Sequence, residues 1–201
     1  MLSLLIYLGN LSERIIFTTR IRKTAIIQQM EYIISKNPFI RFCLSLLCLF
    51  FVCSSGHAQQ LPSVELKGID GKIVDTATLE NDGKPFILCF FADWCKPCLR
   101  ELDAIHDVYP DWQDETGVRL VAVSIDDAQN SLKVAPFIHG KGWEYEVLLD
   151  PNGDFKRAMG VNLIPAAFVI DGEGKIASSK TGYTAGSEDQ LINEVRKLID
   201  K

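Results

Sequence analysis

Residues Ala92–Glu101 read ADWCKPCLRE, two cysteines separated by Lys96 and Pro97 and preceded by a tryptophan. What flanks them decides the fold class. Upstream, Pro85 opens Phe86–Ala92, FILCFFA, an apolar run too short for a helix. Such a run reads as a central strand buried on both faces. Downstream, Leu99, Leu102, Ile105, His106 and Tyr109 recur at helical spacing, which predicts a helix from about Cys98 to Gln113. The pair therefore stands where a buried strand hands over to a helix.

The alternation continues outward. Val64–Lys67 and Ile73–Val74 flank the turn GIDGK and predict a short hairpin. VRLVAVSID, Val118–Asp126, is a second buried strand, and a helix through Leu132, Val134 and Phe137 is expected to end at Gly140. YEVLLD is a strand, followed by the turn Pro151-Asn152-Gly153 and a short helix to Met159-Gly160. Leu163–Asp171 and Ile176–Thr181 are strands around the turn GEGK. The last helix carries Leu191, Ile192, Val195, Leu198 and Ile199 on one face, and Ser187 with Gln190 fits a capping box. The order β-β, β-α-β-α-β-α-β-β-α is that of an α/β domain with a central mixed sheet and helices on both faces. No internal repeat or linker divides 59–201, which reads as one domain.

Residues 1–58 read differently. Lys36 and Arg41 precede the apolar run Phe42–Val52, and small residues follow at Gly56 and Ala58. That is the plan of a secretory signal peptide cleaved after Ala58. The run is short of the about 20 residues that span a bilayer, although an uncleaved N-terminal anchor is a second reading. Val52 speaks against a lipoprotein anchor on Cys53. Met30 is better placed than Met1 to start such a segment, which makes 1–29 upstream sequence. The expected location is extracytoplasmic, periplasmic in a cell with two membranes.

The whole chain has 21 Lys/Arg, 26 Asp/Glu and a net charge of −5. Six basic and two acidic residues lie in 1–58, so 59–201 carries a net −9. A domain that acidic argues against nucleic acid as partner, since phosphate binding needs clustered Lys/Arg. Cys43, Cys48 and Cys53 would leave with the signal, and Cys89, Cys95 and Cys98 would remain. Three cysteines are too few for a disulfide framework.

Four chemistries compete for Cys95-x-x-Cys98. Structural zinc needs four ligands, and beyond His57 only His106 and His139 exist; no metal or cofactor is expected. A c-type haem anchor needs His after the second cysteine, where this chain has Leu99. A purely structural disulfide closes a tiny loop and constrains little of the unfolded chain. A redox pair has the best physical basis. Cys95 at a helix N-terminus gains from orphan N–H groups and the helix dipole, which favour a thiolate. Lys96 adds positive charge, and Pro97 suits a first turn. Cys95 would attack a disulfide and Cys98, one turn inward, would resolve the mixed disulfide.

In FFADWCKPC and IPAAFVID the chain resembles the thioredoxin superfamily, and within it the exported TlpA/ResA-like thiol–disulfide oxidoreductases. The resemblance covers essentially all of 59–201, including an extra β/α unit ahead of IPAAFVID and an N-terminal hairpin. It implies a thioredoxin-like fold, a redox-active Cys95–Cys98 disulfide, and a cis peptide bond at Pro165 lying against the pair. It implies that Trp94, Ile164 and Pro165 face a bound substrate, Ile164 through its backbone. It further implies protein disulfide substrates such as apocytochrome c, and a membrane thiol-transfer electron donor that recharges the protein.

The chain also departs from its relatives. Thioredoxin proper has a buried aspartate six residues before the first cysteine; here that residue is Cys89, read either as a small buried hydrophobe or as a third redox thiol. Glu101, three residues after Cys98, matches a glutamate of the TlpA/ResA-like proteins. It is read either as a catalytic group tuning the pair or relaying a proton, or as a plain surface or first-turn glutamate stabilised by the helix dipole. Many relatives place proline where this chain has Asp103. His106 and Trp112 read as packing or surface residues.

The leading expectation is a reductase, because Pro97 directly precedes Cys98 and the domain is acidic. A peroxiredoxin-like thiol peroxidase would carry threonine where Ala92 stands. A metal- or partner-binding module of this fold would favour a CxxxC spacing with a downstream histidine, which is absent.

Overall fold

The computed structural model describes Asn37 and residues 59–200. The expected start at Met30, the signal segment 36–58 and its three cysteines lie outside the described residues. Among those described, no helix is long and apolar enough to cross a membrane.

The strand expected at Phe86–Ala92 forms β3, Phe86–Phe91, and every residue of it is buried. Its side chains alternate between two cores. Ile87, Cys89 and Phe91 enter one cluster; Phe86, Leu88 and Phe90 enter the other. Only a strand covered on both faces needs an unbroken apolar run.

Around it lie β1 (Glu65–Gly68), β2 (Ile73–Asp75), β4 (Arg119–Ser124), β5 (Glu146–Leu149), β6 (Ala166–Ile170) and β7 (Ile176–Thr181). The sheet order is β2-β1-β5-β4-β3-β6-β7. Strands β3, β4 and β5 run parallel, whereas β6 and β7 are antiparallel additions on one side and the β1–β2 hairpin on the other. The helices are α1 (Lys96–Thr116), α2 (Ser131–Lys141), α3 (Asp154–Ala158) and α4 (Asp189–Ile199), with a short 3-10 turn at Thr76–Thr78. The element order is the one read from the sequence.

Helices cover both faces unequally. The first core gathers Leu102, Ile105, Tyr109 and Trp112 of α1, Val134 and Ile138 of α2, and Leu191, Ile192 and Val195 of α4. The second has only Phe155 of α3 among its helical residues, supplemented by Leu61, Leu66 and Leu79 around the hairpin. Helix α1 therefore lies on the thicker face, sharing its core with α2 and α4.

Three local expectations are corrected. Helix α1 begins at Lys96 and runs to Thr116, longer at both ends, because Cys95 itself supplies the N-cap and Gly117 closes the helix at a φ of 67°. Pro110 sits inside it. Helix α2 runs one residue past Gly140, to Lys141. The capping box at Ser187 does not form: α4 starts at Asp189 with no side-chain cap, and Ser187 Oγ instead accepts from Lys180 Nζ and the Thr184 N–H.

Asp103 has a structural role. Its carboxylate accepts from Lys141 Nζ at 3.0 and 2.8 Å and from Trp143 Nε1 at 3.2 Å. It fastens α1 to the end of α2. Trp112 is buried and His106 half-buried, both in packing positions.

Candidate active site

The site begins at the C-terminal end of β3. Ala92 is fully buried, and its carbonyl accepts the Cys95 N–H at 3.1 Å. The two residues between swing outward. The Asp93 N–H is held by both carboxylate oxygens of Asp126, at 3.2 and 3.1 Å. Asp126 ends the Val118–Asp126 segment, is 1% exposed, and also accepts from Ser124 Oγ at 2.8 Å. Burial pushes its carboxyl above the ordinary value; the Ser124 hydroxyl opposes the rise and the nearby Asp93 carboxyl adds to it. Trp94 then projects from the surface, 65% exposed.

Cys95 caps α1, its Sγ accepting the Cys98 N–H at 3.3 Å. This is the N-cap arrangement with sulfur in place of oxygen, satisfying one of the four orphan N–H groups of the helix start. Pro97 within the first turn sacrifices no helical hydrogen bond. The two sulfurs form a disulfide, with Cα atoms 5.3 Å apart. Cys95 retains a sliver of exposure and Cys98 none. Only the first sulfur can meet an incoming partner without rearrangement.

The second flank comes from another part of the chain. Ala166 pairs with Phe90, so Pro165 stands beside the end of β3 that leads to the pair. The Ile164–Pro165 bond is cis, Pro165 is buried, and its carbonyl accepts the Gly182 N–H at 2.8 Å. Ile164 packs against the cluster that contains Cys95 and Cys98, and Leu163 before it is 70% exposed. Trp94 and Leu163 are two of the few large apolar side chains left in water.

Behind the pair lies a buried polar group. Glu101, one turn past Cys98 on α1, is 1% exposed, which excludes its reading as a surface residue. Residues three apart on a helix share a face, with Cβ atoms about 5–6 Å apart. Glu101 Oε1 lies 2.8 Å from Lys180 Nζ, an ion pair that lacks hydrogen-bond alignment. Burial raises the Glu101 carboxyl above its ordinary value, Lys180 opposes this, and Glu188 adds to it. Cys89 stands in the same region, fully buried, its thiol raised first by burial and then by the Glu101 charge. That suits the small-hydrophobe reading better than a reactive thiolate, which needs exposure and positive surroundings.

The sequence reading missed Asp126 and Lys180. Asp126 was visible only as the polar end of an apolar strand. Lys180 had a partial signal: period-two alternation puts it on one side with Ser178, but a bulge between Val169 and Ile170 sends Ile176 to the other core, so the strand's apolar residue does not mark the Lys180 face.

Comparison with known proteins agrees with this geometry. Residues 57–179 match the AhpC/TSA family. The thiol-disulfide oxidoreductase ResA of Geobacillus thermodenitrificans is 32% identical over 128 residues, covering 64% of this chain and 70% of the relative. Among solved structures, an uncharacterized thioredoxin-like protein from Porphyromonas gingivalis is 65% identical with a TM-score of 0.64, covering 72% of this chain and 94% of that one. A putative thiol:disulfide interchange protein DsbE from Chlorobium tepidum gives 25% identity and a TM-score of 0.61, over 71% and 96%. A buried strand delivering a disulfide to a helix cap, on a seven-stranded mixed sheet with these relatives, makes the chain a thioredoxin-like thiol–disulfide oxidoreductase of the ResA type and a member of the AhpC/TSA family.

Proposed function

We propose that this oxidoreductase works outside the cytoplasm, as a reductant of disulfides in exported proteins. The observation that carries the reading is the asymmetry of the pair: Cys95 caps a helix and keeps 5% exposure, whereas Cys98 has none and stands one helical turn from the buried Glu101. In the reduced protein the N-terminal dipole and the N–H of Cys98 stabilise a Cys95 thiolate. The thiolate attacks one sulfur of a substrate disulfide, forming a mixed disulfide and expelling the other substrate sulfur as a thiolate, which takes up a proton. Cys98 loses its proton to Glu101 and attacks Cys95 Sγ. The Cys95–Cys98 bond forms, the second substrate thiolate leaves, and two electrons have passed from the pair to the substrate.

Trp94, Ile164 and Pro165 frame the place where the substrate chain would lie, the exposed indole supplying apolar contact and Ile164 a backbone edge. Pro97 before Cys98 and the acidic domain favour the reducing direction. Work in that direction outside the cytoplasm requires recharging, for which a membrane thiol-transfer donor is the fitting partner. Apocytochrome c is a fitting substrate, with two thiols that must stay reduced. Export would rest on the segment 36–58, read as a signal peptide whether cleaved or kept as an anchor, with 59–201 as the working domain.

The test is the reduction potential of Cys95/Cys98, measured against glutathione or dithiothreitol. A reductase is expected near the thioredoxin value of about −270 mV; a value near the about −120 mV of DsbA would overturn the direction. The variant Cys98→Ser should in addition accumulate a mixed disulfide on Cys95 with the physiological substrate.

A further inference from the structure

Glu101 does not face Cys98 alone. Strand register puts Cys89 of β3 opposite Ala167 of β6, and Ala167 opposite Lys180 of β7. Cys89 and Lys180 therefore lie in one row across the sheet, on the face packed by α1. The Lys180 side chain is only 15% exposed. Its ammonium is shared three ways, with the Ser187 carbonyl at 3.1 Å, Ser187 Oγ at 2.9 Å and Glu101 Oε1 at 2.8 Å. Its Nζ also stands 5.6 Å from the centre of the Tyr183 ring. The groups around Glu101 are thus Cys89 from β3, Lys180 from β7, and Tyr183, Ser187 and Glu188 from the segment leading into α4. Among them Lys180 is the one cation paired with it. Glu101 Oε1 and Glu188 Oε2 are both buried oxygens without a hydrogen-bond donor among the described residues.

A buried carboxylate with no aligned donor takes up a proton unless a cation holds it ionised. We propose that Lys180 is a positioning residue for the thiol–disulfide reaction: it keeps Glu101 ionised and seated behind Cys98, ready to take the proton that Cys98 sheds. The inference rests on the proton-accepting role given to Glu101 above and adds what makes that role workable. Without Lys180, burial and the Glu188 carboxylate act on Glu101 in the same direction, toward the protonated acid. A protonated Glu101 cannot receive a proton, and resolution of the mixed disulfide slows while its formation on Cys95 is untouched. Tying the ammonium to Ser187 also makes the segment before α4 part of the active site.

The experiment uses the reduced full-length protein with 5,5′-dithiobis(2-nitrobenzoate) as the disulfide. Attack by Cys95 releases one nitrothiobenzoate anion, and resolution by Cys98 releases the second, so absorbance separates the two steps. The Glu101 carboxyl midpoint is followed in parallel by carbon-13 NMR. In Lys180→Met the midpoint is expected to rise by at least one pH unit, the lower end of what a charge at this distance supplies. The second release then slows about tenfold below the new midpoint, the first stays within about twofold, and Lys180→Arg restores both readings. Ser187→Ala, which loosens the loop but keeps the cation, should leave the midpoint in place. Lys180→Gln replaces Lys180→Met if the latter does not fold. An unmoved midpoint in the uncharged variant, or Ser187→Ala moving it equally, would overturn the proposal. Glu101→Gln separates the two ideas. If it leaves the pH profile of the second release unchanged, the proton-accepting role fails, whereas Lys180's hold on Glu101 is judged on the midpoint alone.

Discussion

Removing the Asp126 carboxylate tests how the loop that delivers Cys95 is held. Asp126→Ala strips the acceptor from two donors, the Asp93 N–H and the Ser124 hydroxyl, at a site 1% exposed. A buried donor left without a partner costs about 1–3 kcal/mol, so two give about 2–6 kcal/mol. Part of this is returned, because burial already disfavours the Asp126 anion and the variant no longer carries it. The expected net loss is about 2–4 kcal/mol, or roughly 6–12 °C in Tm for a domain of this size. Asp126→Asn keeps one carbonyl acceptor and should lose less than half as much. The pH dependence has a defined sign. With the folded-state value raised, the carboxyl's stabilising contribution is full below its ordinary value of 3.8 and declines as pH rises through the folded value. Asp126→Asn should therefore compare best with the parent at neutral pH. Urea denaturation of the oxidised protein at pH 4 and pH 7 measures the differences. The rate of Cys95 alkylation in the reduced protein reports whether the loop still presents the thiol. If Asp126→Ala unfolds within 1 kcal/mol of the parent at both pH values, the loop does not depend on this anchor and the reasoning fails.

Two further predictions concern stability. Burial also raises Glu101 above its ordinary value of 4.5, so the stability it lends is full below that value and fades as pH rises through the folded value. The parent should therefore lose stability relative to Glu101→Gln from pH 4 to pH 8, and a parent that gains on the variant over that range would contradict the burial account. Gly172→Ala should be disproportionately harmful for a single methyl. Its Cβ would lie 2.7 Å from the Gly83 carbonyl carbon and closer still to the oxygen, and that neighbour is backbone, which cannot turn aside. A loss of at least about 3 kcal/mol in a denaturant titration is expected, at the upper end for overpacking; a loss under 1 kcal/mol would mean the two loops separate freely.

The architecture was legible in the sequence because each strand and helix carries its own periodicity. FILCFFA declares burial on both faces, and the three-to-four spacing after Cys98 declares a helix. Together they place the pair at a helix start, where backbone N–H groups and the helix dipole favour a thiolate. The errors were at ends, where caps are chosen by competition: Cys95 won the cap of α1, and Lys180 drew Ser187 away from α4.

What the chain by itself determined was therefore the cysteine pair, its place at the start of a helix and the sheet that carries it, since these depend on neighbours in sequence. Whether Glu101 meets water or a buried cation depends on a side chain from β7 and a loop before α4. Nothing in the helix that bears Glu101 encodes that encounter. Only the tertiary structure decided it, because burial and Coulomb interaction act through space, and the residues that set the charge behind Cys98 meet only when α1 is packed onto the sheet.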